Sequence, residues 1–237
     1  MDYWTHRDAL DNKEVPASLT IVGGGVIGME FASFFTSLGV QVTVVEMLDE
    51  ILGGMDKELS AMLRAEYAKK GIKFLLSTKV VGVSKGETGI TVSYENADGA
   101  GTVTADKLLM SVGRRPVTKG FGLENLNLEW TERRCIKVDE HLQSSVPGVY
   151  VCGDLNGVSL LAHTAVREAE VAVHHITGKE DAMSYRAIPG VVYTNPEIAG
   201  VGMSEEALQA AGIPYRAVKL PMAYSGRFVA EIGRAHV

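Results

Sequence analysis

A chain of 237 residues is long enough for one large domain or two small ones. Its 46% hydrophobic and 22% charged residues are the ordinary composition of a soluble globular protein. A net charge of −6 offers no basic face for nucleic acid, no apolar run approaches the roughly 20 residues of a membrane span, and the two cysteines, Cys135 and Cys152, are too few and too far apart for a disulfide scaffold or a zinc site.

Residues 1–17 are polar, carry no strong pattern and read as an entry segment. They are too polar for a signal peptide, so the expected compartment is the cytoplasm. Ser18–Val22 is a β-branched run of strand length that leads into Gly23, Gly24, Gly25, Val26, Ile27, Gly28, Met29 and Glu30. This is the G-x-G-x-x-G pattern. A helix is expected from Val26 to Leu38, with Val26, Ile27, Phe31, Phe34, Phe35 and Leu38 as its apolar stripe and Gly39 ending it. A second strand follows at Val40–Glu46 and closes on an acid.

Each part of this stretch has a physical task. Gly23 permits the tight turn out of the strand. Gly25 lets the backbone approach a pyrophosphate. Gly28 lets the helix pack close to the strand, and the helix N-terminus favours the negative charge. Glu46 can accept hydrogen bonds from the ribose hydroxyls of an adenosine and would repel a 2′-phosphate, which predicts NAD over NADP. A glycine-rich βα turn without a ligand would explain the helix packing, but it leaves three glycines and Glu46 without a shared reason.

After a loop at 47–54, Asp56 is expected to cap a second helix, with Glu58 in its first turn, Leu59, Met62, Leu63 and Tyr67 as its buried stripe and Gly71 at its end. Ile72–Leu76 reads as a third parallel strand. Thr78–Val83, Gly89–Tyr94 and Gly101–Ala105 alternate as short antiparallel strands, with a hairpin turn at Asp98-Gly99. Leu108–Val112 is a further buried strand ending at Gly113, Arg114, Arg115 and Pro116. Residues 117–148 read as loop with a short strand at Ile136–Val138. Val149–Asp154 is an apolar strand ending in glycine and acid, and a helix follows over Ala162–Ile176 with Gly178 ending it. Val191–Tyr193 is a strand, Thr194–Glu197 a proline turn, Ser204 a helix cap with Glu205 and Glu206 behind it, and Tyr215–Leu220 a last strand.

Several tempting side chains have plainer readings. Cys152 is a small core residue rather than half of a redox pair. His174 and His175 are adjacent on a helix, point to different faces and make a poor metal pair. Arg114 and Arg115 either bind phosphate or form a solvated interdomain pair. Glu30 is either an acid favoured by the helix dipole or a ribose ligand, and the second reading is preferred.

The ordered set Gly23–Glu30, Glu46, Gly113–Pro116, Val149–Asp154, Leu160–His163 and Tyr193–Glu197 resembles the flavoprotein disulfide reductases over nearly the whole chain, most closely the branch that oxidises dihydrolipoamide. The resemblance implies an α/β fold in three parts. These are a Rossmann-like NAD-binding domain with an antiparallel meander at 1–116, part of an FAD-binding domain at 117–184, and the start of an α+β dimerisation domain at 185–237. It implies that Gly23–Glu30 cradle the NAD pyrophosphate and nicotinamide ribose, that Glu46 holds the adenosine ribose, and that Val80 and Gly113 add backbone contacts. On the FAD side it implies that Asp154 bonds the ribityl chain and that Leu160, Leu161, Ala162 and His163 line the flavin. The implied activity is oxidation of protein-bound dihydrolipoamide, with electrons passing through FAD to NAD in a homodimer. The implied partners are a lipoyl-bearing acyltransferase complex or the glycine cleavage lipoyl protein.

The family's FAD-binding glycine loop, its Cys-x4-Cys pair and its His–Glu dyad are not found in these residues. An internal fragment is therefore expected, inactive on dithiols by itself, with Ile232–Val237 as read-through of a sequencing adapter. Rival readings are another NADH-using flavoprotein, such as a mercuric reductase relative, a transhydrogenase or an NADH oxidase, and a stand-alone NAD-binding module without catalysis.

Overall fold

The computed structural model describes residues 3–226 and 229–230, and the expected adapter stretch lies outside them. The described residues form two compact units that part between Gly202 and Met203. In the first, α1 (His6–Asp11) precedes β1 (Ser18–Val22), α2 (Val26–Ser37), β2 (Gln41–Val45), α3 (Lys57–Lys69) and β3 (Lys73–Leu75). Then come β4 (Lys79–Lys85), β5 (Ile90–Asn96), β6 (Gly99–Ala105) and β7 (Lys107–Met110). The first unit is completed by α4 (Ala162–Ile176), β8 (Pro189–Val192) and β9 (Ile198–Val201).

A parallel sheet in the order β3-β2-β1-β7 is the centre of the fold. The strand period of two divides its side chains between two cores. Leu19, Ile21, Val42, Val44 and Leu109 pack on the helix side with Met29, Ala32, Phe35, Leu63 and Tyr67. Val22 and Leu108 face the other way, onto Ile90 and Val92 of the antiparallel meander β4-β5-β6. Burial of such a side chain stabilises the fold by about 1.5–3 kcal/mol.

The structure changes the helix faces expected from periodicity. In α2 the buried residues are Gly28, Met29, Ala32, Ser33 and Phe35, while Val26, Phe34 and Leu38 are exposed. Gly28 sets this rotation, because a Cβ there would run into the Gly23 carbonyl oxygen. The face of closest approach is the face of small residues. In α3 the buried positions are Ser60, Leu63 and Tyr67, and Leu59 and Met62 lie outside. Tyr67 Oη donates to Ser33 Oγ at 2.6 Å and so joins the two helices.

The entry segment is also more than a lead-in. Trp4 continues the parallel sheet beside β7, donating its N–H to the Leu108 carbonyl at 2.7 Å and stacking on Phe35. The hairpin between β5 and β6 turns at Ala97 and Asp98, and Gly99 already pairs with Asn96 at φ +116°.

Residues 117–161 run largely without regular structure, with isolated bridges at Trp130–Ile136, Val138–Ser144 and Gln143–Tyr150. Val149–Asp154 does not form the expected strand. It is extended at Tyr150 and turns into a 3-10 helix over Gly153–Leu155. A strand persists only when a neighbour takes up its backbone groups, and here one bridge does so. This region still has a core: Leu128, Ile136 and Val151 form one cluster, and Leu142, Val171, Ala172 and Met183 another. The antiparallel pair β8-β9 packs Val192 and Ile198 into the core beneath α2 and α3.

In the second unit Ser204 caps α5 (Glu205–Ala210) by accepting the Ala207 N–H at 3.3 Å, and Gly212 follows the helix at φ +65°. Tyr215–Leu220 has no strand partner among the described residues and is coil.

Candidate nucleotide-binding site

The glycine loop lies at the carboxyl end of β1, where the sheet order reverses between β2 and β7. Open α/β sheets bind ligands at such a point. Its glycines divide into two kinds. At Gly23, φ is +104° and a Cβ would strike the Ser111 carbonyl oxygen. At Gly28 it would strike the Gly23 carbonyl oxygen. Packing alone requires both. At Gly25 nothing lies within 4 Å of the Cβ position, and the backbone is extended at φ −71° and ψ −177°. Neither packing nor backbone strain demands a glycine there. Gly25 caps α2 with no side chain, so the first-turn N–H groups are left for an outside acceptor. These residues fit a pyrophosphate.

Glu46 stands over the same loop. Its Oε2 accepts the Gly24 N–H at 2.6 Å and its Oε1 accepts the Leu48 N–H at 2.8 Å. An ionised carboxylate has about four acceptor positions, so two protein bonds orient it and leave capacity for ribose hydroxyls. Gly113 follows β7 at φ +111° and is exposed. The chain between brings the β7 end to the loop, because Ser111 donates its N–H to Val22 O at 2.8 Å. Val80 sits in β4, half-buried in the meander core beside an irregularity in the β4–β5 register. Val26 is exposed, Ile27 half-buried and Met29 fully buried, so Met29 is a core residue of α2. Glu30 Oε1 accepts the Tyr193 N–H at 2.9 Å, which ties α2 to the turn after β8.

The remaining expected residues form a second group at the N-terminus of α4. Asp154, Leu160, Leu161, Ala162 and His163 are all exposed there, and Leu161 caps α4 without a side-chain bond. His163 Nε2 lies 2.9 Å from the Pro189 carbonyl. Exposed leucines beside uncapped helix N–H groups and an acid suit a ligand with an apolar ring and a hydroxylated chain.

Beneath this group lies Glu168, which the sequence reading did not single out. It is fully buried in α4. Its Oε2 accepts the Gly153 N–H at 2.5 Å and its Oε1 accepts the Tyr185 hydroxyl at 2.7 Å. Burial, then the bond to Glu168, pushes the Tyr185 hydroxyl well above the usual tyrosine range. Burial, then the Glu168 charge, raises the Cys152 thiol as well. The available signal was spacing: Thr164, Glu168 and Val171 share the inward face of one helix. His174 and His175 part as expected. His174 Nδ1 pairs with Asp181, and His175 stacks on His141 with Nδ1 on the Tyr150 hydroxyl.

The profile of the pyridine nucleotide-disulphide oxidoreductases matches residues 1–169, and that of the family's dimerisation domain matches 188–236. The chain belongs to the pyridine nucleotide-disulphide oxidoreductase family. Within it, the chain is 40% identical over 229 residues to dihydrolipoyl dehydrogenase of Thermus scotoductus, covering 95% of this chain and 50% of the relative. It is 42% identical over 223 residues to the mitochondrial dihydrolipoyl dehydrogenase of Homo sapiens, covering 92% and 44%. Among solved structures, LpdA from Mycobacterium tuberculosis superposes with a TM-score of 0.86 at 30% identity, covering 95% of this chain and 49% of that one. The HOCl-induced flavoprotein disulfide reductase RclA from Escherichia coli does so at 0.84 and 28%, covering 97% and 52%. The chain thus spans about half the length of the relatives it matches. Among the described residues no helix is long and apolar enough to cross a membrane.

Proposed function

We propose that this chain is the NAD-binding part, with a portion of the FAD site, of a dihydrolipoyl dehydrogenase. Residues 1–116 serve as the NAD domain, 117–184 as part of the FAD domain, and residues from 185 as the start of a dimerisation domain. The proposed whole acts as a cytoplasmic homodimer on lipoyl groups of an acyltransferase complex or of the glycine cleavage lipoyl protein. The observation that carries the reading is Gly25: a glycine that packing does not need, open at the Cβ position, between two glycines that packing does need.

Gly23, Gly24 and Gly25, with Val26, Ile27 and Gly28, hold the pyrophosphate by main-chain groups and the α2 terminus. Glu46 receives the adenosine ribose and disfavours a 2′-phosphate. Val80 and Gly113 give backbone contacts, and Glu30 marks the nicotinamide end. Asp154 and Leu160–His163 face the FAD. Bound nicotinamide and flavin supply the hydride chemistry, and these residues bind and orient them. Cys135 and Cys152 do not make a Cys-x4-Cys pair, and no dithiol turnover is proposed for these residues alone.

The test is titration of the 237-residue chain with NADH, followed by the fluorescence of the bound nucleotide. Saturable binding, with NADPH weaker, supports the reading. A folded chain that binds neither nucleotide overturns it.

A further inference from the structure

We infer that Arg64 of α3, acting through Glu50, is a positioning residue for the nucleotide site and helps set its choice between NADH and NADPH; this rests on the proposed NAD reading. Arg64 and Glu50 form a two-pronged ion pair. Arg64 Nε lies 2.8 Å from Glu50 Oε1, and Nη2 lies 2.9 Å from Oε2. The Glu50 side chain is only 12% exposed. Its Oε1 also accepts the N–H of Ile51 at 2.9 Å.

The pair lies at the centre of the loop that follows Glu46. Ile51 and Leu52 are each 1% exposed, and Leu52 sits in the left-handed region at φ +55°. A buried, branched residue stays in that conformation only where its surroundings hold it. Leu52 in turn donates its N–H to the Gly24 carbonyl at 2.8 Å, while Glu46 receives the Gly24 N–H. A Cβ at Gly24 would lie 3.0 Å from Ile51 Cγ2 and 3.3 Å from Glu46 Oε2. Gly24 is therefore held at its N–H by Glu46 and at its carbonyl by the loop that follows Glu46. The other Glu46 oxygen accepts Leu48 of the same loop.

The consequence is a fixed place for the Glu46 charge. Loop 47–54 determines how far that carboxylate stands from the glycine cradle, and α3 anchors the loop by the Arg64–Glu50 fork. Arginine suits the task because its planar guanidinium spans both carboxylate oxygens, whereas a lysine ammonium meets one at a time. Arg64 itself acts only at second hand.

The experiment compares the unsubstituted 237-residue chain with Arg64→Met, Arg64→Lys and Glu50→Gln. Dissociation constants for NADH and NADPH are read by fluorescence titration, and folding by circular dichroism melting. Arg64→Met is expected to weaken NADH about tenfold and NADPH less, so that the preference between them narrows. Arg64→Lys is expected to recover part of the preference. Should Arg64→Met not fold, Glu50→Gln carries the same expectation. Unchanged constants in a folded variant, or an equal loss for both nucleotides, overturn the positioning role alone. Failure of the unsubstituted chain to bind NADH overturns the NAD reading and this role with it.

Discussion

Gly24 and Glu46 are joined by a hydrogen bond of 2.6 Å, from the Gly24 N–H to Oε2 of the carboxylate. The residue proposed to receive the ribose is thus built into the turn proposed to hold the pyrophosphate. A hydrogen bond to a charged group contributes about 1.5–3 kcal/mol. Glu46→Gln keeps the shape but replaces one acceptor by a donor and removes the charge. Weaker NADH binding by about tenfold or more is expected, with a smaller gap to NADPH and a lower melting temperature. Nucleotide titration and thermal melting of one sample check both effects.

The motif glycines should separate stability from binding. Gly28→Ala places a methyl against the Gly23 carbonyl, and overpacking of this kind costs about 1–3 kcal/mol. Gly25→Ala places one in open space at an ordinary φ. Gly25→Ala is therefore expected to melt like the parent and lose NADH affinity, whereas Gly28→Ala loses melting temperature first. Equal melting loss in the two variants would contradict the division.

Glu168 is expected to matter for folding out of proportion to its type. Glu168→Leu leaves the buried Gly153 N–H without an acceptor, at about 1–3 kcal/mol, and takes the half-buried Tyr185 hydroxyl's partner away as well. Glu168→Gln keeps a carbonyl oxygen and should cost less. Urea unfolding measures the difference. Because the carboxylate also raises the Cys152 thiol, iodoacetamide labelling of Cys152 at mildly alkaline pH should be faster in Glu168→Gln than in the parent.

Asp181 gives an acid dependence. The Arg167 guanidinium, then His174, holds its carboxyl down at about 2, against an ordinary 3.8. A carboxyl depressed in the folded state adds stability above its unfolded value and loses it as the pH falls toward the folded one. The contribution is therefore complete above about pH 4 and is lost between there and about pH 2. Asp181→Asn should flatten the stability profile in that window, as measured by urea unfolding across it.

How much of this was legible beforehand depends on the range of the interaction. Local chemistry was readable: the Asp56 and Ser204 caps, the terminating Gly71 and Gly178 and the alternating meander depend on neighbours close in the chain. Long-range choices were not. Aromatic residues in α2 favoured one face, but the close contact of Gly28 with Gly23 turned another inward. Trp4 gained its place only from the edge of β7, and Glu30 its Tyr193 partner only from the packing of β8 against α2. Glu168 needed the Gly153 turn and Tyr185 around it before its burial made sense. The glycine turn after β1 and the acid at the end of β2 were legible in the residues themselves, because a turn and a strand end follow from local backbone preference. Which helix faces lie inside, and which buried carboxylate supports the second group, follow instead from residues that are distant in the chain and meet only when the sheet is assembled.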